Sequence, residues 1–378
     1  MRIVPFCRSL PFPFRGLPFG LLFVALLATA APTARAFEQC PAPQFGVEGI
    51  AIDRSEGTAE EAQTLGIQQA ARIGFQRVLL RLLHDSAIAA AFIETHDPDQ
   101  FIDFYHIAEE NSLAGRYIAK LDFCFRAQPL RAAMRAAGLQ WAELISPRIL
   151  VLPVWMAPDG ARAWQADNPW LAGWREAVAK SDGLVDFTLL APTIVNERSL
   201  RAEDIVAADA ATLRRAATVA GAEQIMLVTA QLDYVGSRQV LTVDGTLFTA
   251  DAEKLTVLAN MVDRPVLGNL DLQLDYARMH ILGELETGWH GANIIQGGEA
   301  REITVEVPVV SLQDWAARIE AFTSLAVIDS YIVRRLDLRG GLVTLNMVGS
   351  DAAISNALAT RNLQLRRRDD GFSVIEPF

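Results

Sequence analysis

ILVLPVW, residues 149–155, follows Ser146-Pro147 and is almost uninterruptedly apolar. A strand wetted on one side alternates polar and apolar residues, so a continuous run marks a strand buried on both faces, as parallel pairing beneath helices requires. Downstream, Asn168-Pro169 offers a capping side chain and a first-turn proline for a helix to about Lys180. A strand is then predicted over 183–190, a helix over 209–220 closed by Gly221, and strands over 224–234 and 240–249 that turn at Gly236-Ser237. An amphipathic helix over 270–285 completes a central unit spanning 147–289. Strands alternating with helices predict an α/β sheet there, with parallel pairing.

Two further units flank it. Residues 37–146 open with the alternating strand FGVEGIAID (45–53), and Thr58-Ala-Glu-Glu61 forms a capping box ahead of a helix reaching His84. Strands over 104–110 and 116–126 follow, then a helix that Pro129 opens and Gly138 closes. After a Gly-rich link over 288–299, residues 300–378 read strand 303–309, helix 311–322, hairpin strands 327–336 and 342–348, helix 352–359, and last strands 363–367 and 372–375. That βαββαβ order is the split, ferredoxin-like arrangement. The fold class is therefore α+β or α/β: three small stacked units, the last a βαββαβ sandwich.

The first 36 residues read as an address. Arg2, Arg8 and Arg15 precede the apolar core LPFGLLFVALLATA (17–30), and Ala34-Arg35-Ala36 offers small residues for cleavage between Ala36 and Phe37. This predicts a cleaved Sec-type signal, a periplasmic destination, and membrane contact only through that transient segment. The whole chain has 34 basic and 45 acidic residues; losing four arginines with the signal leaves 30 against 45, a net charge of −15. Such a surface repels phosphate, so no nucleic acid is expected as a partner. Cys7 also leaves, and the remaining Cys40 and Cys124 are expected to pair as a disulfide in an oxidising compartment.

Chemical motifs are scarce. No G-x-S-x-G, phosphate-binding loop, dinucleotide fingerprint or H-E-x-x-H occurs, and the five histidines lack ligand spacing. No catalytic residue, metal or cofactor is therefore assigned. Asp182, Asp186, Glu197, Glu203, Asp204 and Asp209 crowd one segment of the central unit, where differently tuned carboxylates would suit a hydrolase or metal-dependent enzyme. Four of the seven tryptophans fall close together, at 155, 164, 170 and 174. They suit either a core seam or a stacking and contact surface for a glycan or protein. Trp164 and Trp170 flank the polar loop 165–168 and, with Asn168, are the expected interaction surface. The basic run Arg366-Arg367-Arg368 reads as a solvated edge strand guarded against self-pairing.

Val47-Glu-Gly-Ile-Ala-Ile-Asp53 with the Ala-rich helix behind it, Pro147-Arg148 through Trp155, Asn168-Pro-Trp-Leu-Ala-Gly-Trp174 and Ser311-Leu-Gln-Asp-Trp315 together resemble the bacterial secreted proteins filed as domain of unknown function 2066. The resemblance covers most of the mature chain and implies an envelope protein of unassigned function. The order of units is more distantly similar to periplasmic assembly factors. The leading expectation is a non-enzymatic adaptor or assembly factor for another envelope protein; a carboxylate-based enzyme and a glycan or small-ligand binder are the alternatives. The oligomeric state is not fixed by any of these features.

Overall fold

The order of burial along each strand sorts its residues between layers, and the central unit shows this most plainly. The computed structural model describes residues 40–377 apart from 114, 266–267, 297–300, 338–339 and 369–372. The segment read as a signal and the expected Ala36/Phe37 cleavage position lie outside the described residues.

The first unit runs β1 (Gly46–Ser55), α1 (Ala59–Leu83), α2 (Ser86–Thr95), β2 (Ile102–Leu113), β3 (Arg116–Phe125), α3 (Ala127–Ala136) and the two-residue β4 (Gln140–Trp141). Its three strands form an antiparallel sheet in the order β1-β3-β2, with α1 laid across it. Thr58 caps α1 by accepting from the Glu61 amide, as its position ahead of two acids dictates. Cys40 and Cys124 are joined by a disulfide, which ties the start of the described chain to the middle strand. A bond of this kind persists in oxidising compartments, so this is the chemistry of an exported protein.

The central unit comprises β5 (Ile149–Ala157), β6 (Gly160–Arg162), α4 (Pro169–Lys180), β7 (Phe187–Leu189), α5 (Ile194–Ser199), α6 (Ala202–Val206), α7 (Ala210–Ala220), β8 (Gln224–Val235), β9 (Arg238–Thr249), β10 (Lys254–Pro265), α8 (Leu270–Ala292) and β11 (Ile295–Gln296). The sheet order is β10-β9-β8-β5-β6, with β7 also on β5. Pairing is mixed: β5 is parallel to β7 and β8, while β8, β9 and β10 form an antiparallel meander. Ile149 and Val151 enter the layer under α4 and α8, and Leu150, Leu152 and Val154 enter the layer under α6 and α7. Burial on both faces is why this strand lacks polar alternation. α8 continues through residues 288–292, where the glycines suggested a link; His290 is buried and holds that turn in place.

The last unit runs β12 (Arg301–Pro308), α9 (Leu312–Ser324), β13 (Ile328–Asp337), β14 (Gly340–Met347), α10 (Asp351–Ala359), β15 (Leu363–Arg367) and β16 (Ser373–Pro377). Its sheet has five strands in the order β13-β14-β12-β16-β15. The chain turns back after β15, so β16 inserts parallel to β12 and leaves β15 at the edge. The arrangement thus departs from the four-stranded ferredoxin-like pattern while keeping mixed α+β character.

The outer units share an interior. One continuous apolar cluster holds Phe45, Phe75, Leu121 and Trp141 of the first together with Val305, Leu345, Leu358 and Ile375 of the last. The short β4–β11 pair, with Trp141 opposite Ile295, stitches their approach.

Candidate functional site

Asn168, Trp164 and Trp170, the expected contact surface, are 1%, 7% and 0% exposed. None of them presents a surface, and each has a structural partner. The Asn168 Oδ1 accepts from the Leu171 amide at 3.0 Å and its Nδ2 donates to the Arg162 carbonyl at 2.8 Å, so it caps α4 and pins the preceding loop. Trp164 Nε1 donates to the Leu200 carbonyl at 2.8 Å, and Trp170 Nε1 to the Val228 carbonyl at 3.0 Å. Trp170 and Trp174 meet edge to face at 5.6 Å, and the Arg278 guanidinium from α8 lies 5.4 Å from the Trp170 ring centre. Arg278 also fills the space in which a Cβ on residue 173 would stand, so Gly173 admits the guanidinium. The NPWLAGW string is therefore a helix-packing device: cap, first-turn proline, two rings for the sheet and a glycine for a crossing arginine.

The carboxylates of the central unit have separate employments. Asp186 pairs with Arg148 at 2.9 Å, Asp209 caps α7 by accepting from the Thr212 amide, and Glu203 and Asp204 flank Arg201. Asp182 pairs with Arg81. Among the described residues no group of three His, Cys, Asp or Glu side chains could hold a metal ion. His106 is half exposed and lies 3.2 Å from Asp122.

Two features at the meeting of the three units were invisible to sequence reading. The first is a polar seam between α1, α8 and the loop before β7. Arg81 donates to the carbonyls of Gln44 and Gly46 at 2.7 and 2.8 Å and to that of Asp182 at 2.8 Å. The Glu286 carboxylate accepts from the amides of Leu184 and Val185 at 3.1 and 3.3 Å, and a Cβ on Gly183 would collide with it. Desolvation pushes the Glu286 carboxyl above its ordinary range, against the pull of those two amides and of Arg81. His290 donates from Nε2 to the Leu82 carbonyl at 2.8 Å and stacks on His84 at 5.2 Å; burial holds its conjugate acid below the usual imidazole range. Partners here lie 35 to 208 residues apart, so no local pattern announces them.

The second is a cleft of about 320 Å³. Gln44 enters it from the first unit, residues 143–146 from the segment that follows β4, and Asn293 and Ile295 from the end of α8 and β11. Residues 324–327, Ala353 and Ala357 of α10, and Thr360 and Arg361 just after it complete the lining. Its volume lies at the lower end of the range for ligand sites, about 300–1,000 Å³. The Glu143 carboxylate in the lining already accepts from Nε and one Nη of Arg131 and from Trp141 Nε1, so its charge is spent inside the protein. Arg361, also in the lining, has no ion-pair partner among the described residues.

No known family model and no curated protein matches the chain. Among solved structures it is similar to the lipoprotein GNA1162 from Neisseria meningitidis, at 15% identity over 37% of this chain and 96% of that one, with a TM-score of 0.24. It is also similar to PelC from Paraburkholderia phytofirmans, solved as a dodecamer, at 12% identity over 38% and 94%, with a TM-score of 0.20. Likenesses of this size carry no argument about function.

Proposed function

We propose that this chain is a periplasmic, non-enzymatic adaptor that binds a segment of another envelope protein, with the cleft between its three units as the binding site. The observation that carries this reading is the cleft itself: about 320 Å³ with apolar walls, polar groups from three separate units, and Ile145 exposed at its side. A disulfide-stapled scaffold with a shared core supports it, since a rigid frame holds such a cavity open without a ligand. Membership of the secreted family named above agrees with this reading and is proposed with it. The described residues include no helix long and apolar enough to cross a membrane.

The test is site-directed photocross-linking in the periplasm of an expressing cell. A benzoylphenylalanine at position 145 should trap a discrete protein adduct that one at the exposed Val219 on α7 does not. The adduct should vanish when Ala326→Trp fills the cleft. Identical adduct patterns at positions 145 and 219 refute the reading.

A further inference from the structure

We infer that the cleft takes the C-terminal end of a polypeptide, with an apolar last residue in the cavity and the terminal carboxylate against Arg361. The inference rests on the binding reading above and adds the chemistry of the ligand.

Size excludes the bulkier peptide forms. A helix about 10 Å across would fill 320 Å³ in less than one turn of about 5.4 Å, so the cavity admits a chain end and no packed helix. Its walls are aliphatic at Leu144, Ile145, Ile295, Leu325 and Val327, which suits an apolar side chain. Charge then selects the polar part. The mature chain is strongly acidic, and a free carboxylate meets repulsion over most of its surface. Inside the cleft the balance reverses: Glu143 is neutralised by Arg131, whereas Arg361 keeps an unpaired guanidinium able to grip a carboxylate with two parallel hydrogen bonds. The lining also offers main-chain groups. Among the described residues neither the amide nor the carbonyl of Ile145 has an intramolecular hydrogen bond, so both are open to the backbone of an entering peptide. A terminal residue alone joins an apolar side chain, a backbone amide and a full negative charge within one unit.

The test uses the complete mature protein and a fluorescein-labelled hexapeptide pool of mixed sequence ending in leucine, made as free acid and as C-terminal amide. Fluorescence polarisation should show the acid pool binding at least about tenfold more tightly than the amide, the discrimination expected of hydrogen bonds to a charged group. Arg361→Gln should abolish that difference, and Arg361→Lys should keep part of it. Ile145→Trp, a change at an exposed position that leaves the core intact, should block both pools. Equal binding of acid and amide overturns the carboxylate assignment and leaves the cleft standing. Binding of both pools unaffected by Ile145→Trp overturns cleft and ligand together. Displacement of the acid pool by decanoate as tightly as by the unlabelled peptide also overturns the inference, because it identifies a fatty acid as the occupant.

Discussion

At Trp170 the ring is fully enclosed between α4, the sheet and Arg278, so its removal is a packing event. Trp170→Ala should cost about 3–5 kcal/mol in denaturant unfolding, as large-to-small changes in a core do. An unchanged unfolding midpoint would show that the ring is not part of the core. His290 sets a second expectation. Its folded form resists protonation, so the unfolded chain binds the proton first, and stability falls as pH drops from the ordinary histidine value of about 6.5 toward the lower folded one. Glu286 works oppositely: its folded form takes up a proton first, so acidification through its raised range adds stability. His290→Gln keeps a donor for the Leu82 carbonyl and removes the unfavourable protonation. Between pH 7 and pH 5 its melting temperature should rise relative to the parent, and parallel profiles would rule out His290 as the titrating group. Neither residue showed its role in the sequence. A tryptophan pair one helical turn apart has the same spacing whether it faces a partner or a second helix, and α8 lies roughly a hundred residues farther along the chain.

Single elements were easier to read, because caps and strand alternation are local. Thr58 and Asn168 cap the helices that their positions announce, and Asp209 and Ser311 each cap the helix that follows them. Asp209→Ala should cost about 1 kcal/mol, measured by chemical denaturation, and an effect below a few tenths would assign the capping energy elsewhere. The double change Cys40→Ser, Cys124→Ser removes a closure across 84 residues. In the chain-entropy model that lowers stability by about 3–5 kcal/mol, and a reductant should no longer shift the variant's melting temperature. Elements without a local signal escaped notice. β4 and β11 are two residues each and exist only because they meet, and β7 keeps three residues of a longer predicted strand because the backbone before it turns to meet Glu286. The inserted β16 depends on which neighbour β12 has free, a tertiary choice that periodicity does not encode.

For the molecule as a whole, the α+β class followed from the sequence, whereas the common interior of the first and last parts of the chain did not. Apolar periodicity says which face of an element is buried and is silent about the element that covers it. The shared cluster makes a specific prediction: deleting residues 300–377 should strip hydrogen-exchange protection from α1 and β3 as well. Retained protection there would mean that the first unit closes its core alone.

That interior also sets a timetable. An exported chain emerges amino end first, yet the apolar cluster that holds Phe45 and Phe75 is complete only when Leu358 and Ile375 arrive, about three hundred residues later. During that interval the opening sheet carries a naked greasy flank, with Cys40 and Cys124 close enough to be bridged early. Oxidation before export ends would hold the nascent half in register until its cover is delivered, so folding assistants that act on exported chains should meet this one at its beginning and release it at its end.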